Sequence, residues 1–163
     1  MERSGDSSDA RIRVLLVEAG SDREGVVQSC LGAVPHPSLS SSRAGTLADA
    51  LAALAAGPFD VVLLRPELPD GNGADVVRRV AAQASGVPVI VVAAECDAQS
   101  LATDGVFDCL VTDTLTSDEL AHALRRAAER LRLESRLREA ESRSHALFEH
   151  TGTALLTVDR NLV

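Results

Sequence analysis

Charged or hydroxyl-bearing residues follow several short apolar segments of this chain, at positions where a functional site would be expected. The residues directly after the segments are Glu18-Ala19, Arg65, Ala93-Ala94 and Thr112-Asp113. If the segments are strands of a parallel sheet, these positions meet at its carboxyl edge, where such sheets hold their sites. Glu18 is the one candidate metal ligand, and Arg65 would add a positive charge beside it, which opposes the binding of a cation.

The cysteines and histidines form no recognisable ligand or disulfide pattern. The cysteines are Cys30, Cys96 and Cys109, and an odd number argues against a disulfide framework. Cys30 and Cys109 lie on apolar segments and are expected to be core thiols. Cys96 lies between Glu95 and Asp97, and these acids disfavour its thiolate, which argues against a redox role. The histidines lack metal-ligand spacing, so we expect no metal site among them. We also expect no cofactor and no enzymatic activity.

The elements that would position these residues alternate along the chain. Strands are predicted at Ile12–Val17, weakly at 38–42, and at 59–64, 87–94 and 107–111. Helices are predicted at about 22–33, Leu47–Ala56, 74–84 and 97–103, and from Ser117 onward, with capping pairs such as Thr46 with Asp49 and Thr116 with Glu119. Continuously apolar strands alternating with helices predict an α/β fold, a five-stranded parallel sheet with helices on both faces.

Composition and charge exclude several classes of function. The net charge of −8 lies within residues 1–113, which hold sixteen acids against eight Arg. Phosphates would be repelled by such a domain, so we expect no nucleic-acid partner. No apolar stretch approaches the ~20 residues that cross a bilayer. Because the polar N-terminus does not fit a signal peptide, we expect a disordered segment at 1–11 and a cytoplasmic location.

A long helix without Gly or Pro is predicted from Ser117 to about Phe148. Its apolar positions are spaced as a heptad seam with one phase shift near Glu134. Two interpretations remain open: a dimeric coiled coil that makes the protein a homodimer, or a solvated single helix linking two domains. The predicted seam consists of Leu120, Leu124, Ala127, Leu131, Leu137, Ala140 and Leu147.

The last residues indicate the beginning of a further element. The helix is expected to end between Leu147 and Gly152, and the apolar run 154–158 is predicted as a strand. Roughly 15 residues cannot bury a core of their own. This segment is therefore expected to be the front edge of a larger domain.

The order of these motifs resembles that of response-regulator receiver domains of two-component signalling. The segments that carry the resemblance are VLLVEAG, FDVVLLRPELPDGNG, VPVIVVAA and GVFDCLVTDTLTSDEL, which together cover residues 12 to about 130. The resemblance implies a flavodoxin-like fold. In that family two acids and an Asp hold Mg²⁺, the Asp accepts a phosphoryl group, and a Lys and a Thr or Ser stabilise the added charge.

This chain departs from that pattern at nearly every functional position. The resemblance places the first acid at Glu18, the second at Ala19, the phosphorylated Asp at Arg65, the Thr or Ser at Ala93 and the Lys at Thr112. The chain contains no Lys at all. The aromatic residue that responds to phosphorylation corresponds to Cys109. We therefore expect a degenerate receiver in which Arg65 pairs with Glu18; the alternative is that Arg65 points to solvent.

The tail resembles the helical lead-in and first strand of a PAS sensor domain, through the segment LREAESRSHALFEHTGTALLTVDRNLV. The predicted domain scheme is a receiver-like domain at 12–116, a helical coiled-coil linker at 117–146 and an incomplete PAS start at 147–163. Proteins with this order commonly continue into a histidine kinase or a cyclic-di-GMP enzyme. Such domains and other signalling proteins are the partners that the resemblance implies.

These observations lead to one functional prediction and two alternatives. We expect a regulatory module that acts by protein–protein interaction without phosphorylation and relays through the helix. The first alternative is a true phosphoacceptor that uses an unusual residue such as Asp60, Glu67 or Asp70. The second is a structural spacer that only dimerises the full protein.

Overall fold

The computed structural model describes residues 11–20, 25–34, 39–71, 73–97, 102 and 105–159. The elements are β1 (Ile12–Val17), α1 (Gly25–Ala33), β2 (Leu39–Ala44), α2 (Leu47–Ala56), β3 (Val61–Leu64), α3 (Gly73–Ala84), β4 (Val89–Ala93), β5 (Val106–Val111), a 3-10 turn (Thr112–Thr114) and α4 (Ser117–Asp159). Most of the helix predicted over 97–103 and nearly all of the N-terminal segment 1–11 lie outside the described residues.

The five strands form one sheet in the order β2-β1-β3-β4-β5, and every neighbouring pair is parallel. This confirms the predicted flavodoxin-like α/β fold. The strand order reverses at β1, which lies between β2 and β3. In the register of β1 with β3, Val17 lies opposite Leu64, so these two strands end side by side. The crevice of this fold is expected at their carboxyl ends.

Helices cover both faces of the sheet because alternate strand residues point to opposite sides. On one face, Leu15 and Val17 of β1 pack with buried residues of α2 and α3. On the other face, Val14 and Leu16 pack with buried residues of α1 and α4. These side chains are 3% exposed or less, which makes β1 the centre of two apolar layers. Continuous aliphatic strands are what burial on both faces requires.

Two of the predicted helix caps are present. Thr46 Oγ1 accepts a hydrogen bond of 3.1 Å from the amide of Asp49 at the start of α2. At the start of α4, Thr116 Oγ1 accepts from the Glu119 amide at 3.2 Å, and Glu119 Oε2 accepts from the Thr116 amide at 3.3 Å. This reciprocal pair is a complete capping box.

The first turns of α4 belong to the domain core, which corrects the predicted dimer seam. Leu120, Leu124 and Ala127 are 0–1% exposed and pack against the sheet, so they are not available to a second helix. The spacing of these residues is the same whether an amphipathic helix covers a sheet or pairs with another helix. Farther along, Leu137 is 61% and Leu147 68% exposed. Only this later part of the predicted seam remains accessible.

Contacts within the chain define two units, Met1–Glu129 and Arg130–Val163. The first unit therefore extends beyond the boundary predicted at residue 116 and includes the first turns of α4. In the second unit, the strand predicted over 154–158 does not form, because these residues continue α4 to Asp159. A helix satisfies its backbone groups internally, whereas a strand needs a neighbour, and the described residues offer none there. Within the described part of the chain, no helix combines the length and apolar character that spanning a membrane demands.

Candidate functional site

Glu18 and Arg65 lie next to each other in the crevice between β1 and β3. The amide of Arg65 donates a hydrogen bond of 2.9 Å to Val17 O, and the amide of Glu18 donates one of 3.0 Å to Ala44 O. Both residues thus continue the sheet by one position beyond the ends of their strands. Glu18 is 1% exposed and is the one buried charged residue of the described core. The sequence prediction that these two residues meet at the carboxyl edge is confirmed at the backbone.

The other predicted site residues line the same edge. Ala93 is 8% exposed and ends β4, where it lies opposite Val111 of β5, so Thr112 follows at the next position. Ala19 is partly buried against the apolar layer under α2 and α3. The five predicted site positions therefore supply one carboxylate, one guanidinium, one hydroxyl and two methyl groups.

This set of side chains does not fit a Mg²⁺ ion. Magnesium requires several oxygen ligands in octahedral arrangement, commonly with more than one carboxylate. At the carboxyl edge Glu18 supplies a carboxylate, and the neighbouring position on β3 supplies the cation Arg65 instead of an anion. Among the residues that the structure describes, no group of three His, Cys, Asp or Glu is arranged to hold a metal ion.

Two polar atoms at this edge are buried and make no hydrogen bond: Arg65 Nε and Thr112 Oγ1. The predicted pairing of Arg65 with Glu18 is therefore not made through Nε. Pairing through the terminal guanidinium nitrogens remains a prediction. A buried donor without a partner costs about 1–3 kcal/mol, and among the described residues these two atoms have none.

Asp70 has a structural role that leaves its carboxylate unsuited to accept a phosphoryl group. Its Oδ1 accepts from the amide of Leu47 at 2.7 Å and its Oδ2 from the amide of Ala48 at 3.0 Å. The carboxylate thereby caps the first turn of α2 from a loop more than twenty residues away in sequence. These two hydrogen bonds lower the pKa of Asp70. The sequence pattern did not predict this cap.

Asp60 is also engaged, at the opposite end of β3. Its Oδ2 accepts from the backbone amide of Arg13 at 2.8 Å and from Arg13 Nε at 3.2 Å, and its Oδ1 pairs with Arg13 Nη2 at 3.2 Å. The hydrogen bond and the charge of Asp60 raise the pKa of Arg13. Asp60 thus joins β1 to the start of β3, far from the crevice.

Cys96 and Cys109 form a disulfide, which corrects two expectations. The odd cysteine count argued against such a bond, and Cys109 was expected to be a core thiol. In the fold, Cys96 follows β4 and Cys109 lies on the neighbouring β5, so their Cα atoms are 5.9 Å apart, within the range that a disulfide spans. Cys30 is the free cysteine; it is partly buried, and its Sγ lies 3.9 Å from Leu115 O. Only the strand order, which brings β5 beside β4, would have revealed the pair.

A second link joins β5 to α4. Arg126 Nη2 of α4 lies 2.7 Å from Asp108 Oδ2, and its guanidinium lies 5.8 Å from the centre of the Phe107 ring. Asp108 Oδ1 also accepts from the amide of Cys109 at 2.8 Å. The strand residue that carries the disulfide is therefore one position from the residue that holds α4.

Comparison with known proteins supports the fold and goes no further. No protein-family model matches the chain, and no curated protein matches it. A signal receiver domain of an HD-domain-containing protein from Pseudomonas fluorescens is 24% identical, with a TM-score of 0.65 over 77% of this chain and 93% of that one. The signal receiver domain of a LuxO-type repressor from Vibrio parahaemolyticus is also 24% identical, with a TM-score of 0.65 over 78% and 97%. The receiver domain of a sensor histidine kinase from Pseudomonas aeruginosa, with a magnesium ion in its active-site cleft, is 21% identical, with a TM-score of 0.61 over 74% and 99%. At these identities the likeness shows a shared receiver fold.

Proposed function

We propose that this chain is a receiver-like signalling module that works by protein–protein interaction without being phosphorylated. One observation carries the proposal: Arg65 occupies the position directly after β3, in the crevice where a receiver would hold its phosphoacceptor carboxylate. A guanidinium cannot attack a phosphoryl donor, and its positive charge opposes the binding of Mg²⁺. Ala19 and Ala93 remove two further groups that the chemistry would need.

The contacts and surroundings of the three alternative acceptors, Asp60, Asp70 and Glu67, support the same proposal. Asp60 is held by Arg13 at the far end of β3, and Asp70 is held by two amides of α2. A phosphoryl group on either would break structural hydrogen bonds. Glu67 is exposed in the loop after β3, and the chain has no Lys to neutralise a phosphoryl group there.

The helix α4 is the proposed route of communication. Its first turns are core residues of the receiver-like unit, and the same helix continues as the second unit. We propose that its later, exposed leucines pair two copies of the chain, and that the tail leads into a PAS-type domain and then a histidine kinase or cyclic-di-GMP enzyme. The cytoplasmic location predicted from the sequence stays a prediction.

The first test is the intact mass of the protein after incubation with Mg²⁺ and a small phosphodonor such as acetyl phosphate. An active receiver in the same reaction serves as the positive control. We expect an unchanged mass for this chain and a gain of one phosphoryl group for the control. A phosphorylated product that maps to Asp60, Glu67 or Asp70 would overturn the proposal and would establish a phosphoacceptor with a relocated site.

A second test separates a regulatory module from a spacer. Residues 1–129, the whole first unit, are deleted from the full protein while the second unit is kept, and the output of the downstream domain is compared with that of the intact protein. A spacer would be dispensable for regulation as long as the helix still forms. We expect the deletion to abolish regulation.

A further inference from the structure

The Cys96–Cys109 pair is the one covalent link that the described residues contain, and it lies at an exposed edge of the fold. β5 is the last strand of the sheet, and each of its residues is partly exposed. Cys96 is likewise partly exposed in the segment after β4. Both cysteines are therefore partly exposed, although Cys109 also packs against the apolar layer under α2 and α3.

The fold brings the two sulfurs together without help from the bond itself. Parallel pairing of β4 with β5 places Val91 opposite Cys109, and Cys96 follows three positions after the last residue of β4. Two thiols held this close react as an intramolecular pair, so the disulfide forms at a much higher effective concentration than between molecules. Two acidic residues, Glu95 and Asp97, flank Cys96, and they do not alter this proximity.

We propose that Cys96 and Cys109 form a redox-responsive site that controls how β5 is held against α4. The inference goes beyond the proposed function, because it requires neither a partner nor the absence of phosphorylation. A peroxide is the class of oxidant and a dithiol the class of reductant that the site would meet.

The chemistry balances as a two-electron exchange. One cysteine thiolate attacks the O–O bond of hydrogen peroxide and becomes a sulfenic acid, while the departing hydroxide takes up a proton to form water. The second sulfur then attacks the sulfenic sulfur, the S–S bond forms, and a second water molecule leaves. In the reverse direction a dithiol exchanges with the disulfide, is itself oxidised to a cyclic disulfide and returns both protons to the protein thiols.

The contacts of β5 give the bond a route to the helix. The amide of Cys109 donates a hydrogen bond to Asp108 Oδ1, and Asp108 Oδ2 forms an ion pair with Arg126 of α4. When the disulfide is closed, the segment after β4 restrains Cys109 and hence the position of the Asp108 carboxylate. β5 is paired on one side only, to β4, in both states. When the disulfide is open, β5 loses the added restraint of the bond and frays as an edge strand does. The Asp108–Arg126 contact then loosens with it.

Thiol counting tests the site itself. In a C30S variant, only the pair remains; the protein is reduced with dithiothreitol, treated with hydrogen peroxide, alkylated and weighed as an intact chain. We expect both thiols to become unreactive together, with a monomeric product, and to return on renewed reduction. Overoxidised or cross-linked products, or a bond that excess dithiothreitol leaves intact in the folded protein, would overturn the proposal. C30S/C96S is the matched control, in which Cys109 has no partner and cannot form the internal bond.

Hydrogen exchange tests the link to α4. Amides of 106–111 and 117–129 are followed in the oxidised and reduced C30S protein, with β1 as an internal reference. We expect reduction to lower protection in β5 and in the first turns of α4, while β1 is unchanged. In C30S/R126Q, β5 should still respond but α4 should not. C30S/R125Q alters a neighbouring arginine that donates to Ala121 O of its own helix, and it should behave like C30S. Equal protection of α4 in both redox states would overturn the coupling. Circular dichroism of C30S/C96S/C109S establishes that the reduced chain is folded.

Discussion

Leu124 and Leu137 lie on the same helix, and substituting each by Ala should have very different consequences. Leu124 is 1% exposed in the core layer under α4, whereas Leu137 is 61% exposed. Leu124→Ala removes the equivalent of three buried methylene groups, or about 2.4 kcal/mol of transfer free energy. The cavity left against β1 and β3 adds to this, so we expect a loss of about 3 kcal/mol in the free energy of unfolding.

Leu137→Ala should leave the folded monomer nearly unchanged. Most of its side chain already contacts water, and Ala favours the helix slightly more than Leu, so the net change should be about 0.5 kcal/mol or less. Its effect should appear instead in association: if the exposed leucines pair two chains, L137A weakens the dimer. L124A should leave the dimer constant of the folded protein unaltered, because Leu124 faces the domain core.

The assay combines urea unfolding with sedimentation equilibrium. Far-UV circular dichroism must report unfolding, because the chain has no Trp or Tyr. The unfolding curves are recorded below the dimer dissociation constant, so that only the monomer contributes. The reasoning would be refuted by an L124A cost under about 1 kcal/mol, far outside the range for buried leucines. An L137A monomer destabilised as much as L124A would refute it equally, since it would show that the later helix is packed in the monomer.

Three further predictions follow from contacts described above. Reducing the Cys96–Cys109 bond in the C30S protein should lower the free energy of unfolding by about 3 kcal/mol, because the unfolded chain then regains the entropy of a loop with a sequence separation of 13. Urea unfolding curves with and without dithiothreitol measure this loss, and an unchanged midpoint would contradict the prediction. Thr116→Ala should cost about 1 kcal/mol by removing the capping hydroxyl of α4, whereas Thr114→Ala, outside the capping box, should cost little in the same urea assay. Because the pKa of Asp70 is lowered in the fold, its carboxylate stabilises the fold above the ordinary Asp pKa, about 3.9, and this contribution is lost as pH falls through the lower folded value. The midpoint temperature of unfolding should therefore fall less steeply with decreasing pH in Asp70→Asn than in the unaltered protein. Parallel profiles for the two proteins would disprove the role of the cap.

The sequence predicted the central strands well and the edge strand β2 only weakly, for a physical reason. β1, β3 and β4 are buried on both faces and must be continuously aliphatic, so their sequences identify them. β2 is an edge strand with exposed Ser41 and Ser42, and its apolar signal is correspondingly weak. The site positions Glu18 and Arg65 were predictable because they directly follow the buried strands.

The hydrophobic periodicity of the sequence could not predict features that depend on the tertiary fold. The 4-3 spacing of Leu120, Leu124 and Ala127 fits a coiled coil and a sheet-covering helix equally well, and only the tertiary fold decides between them. The Cys96–Cys109 bond requires knowledge that β5 is the neighbour of β4. The cap from Asp70 to α2 joins residues 22 to 23 positions apart, with no local signature.

That cap has a consequence for how the domain assembles. The loop that carries Asp70 is itself closed by reciprocal hydrogen bonds between Leu68 and Gly71, and it follows β3 directly. The first turn of α2 is therefore completed only when β3 has docked and this loop has closed. Helix formation and strand docking become a single cooperative event, so α2 and the loop should open together, with one shared opening free energy, rather than fray one after the other.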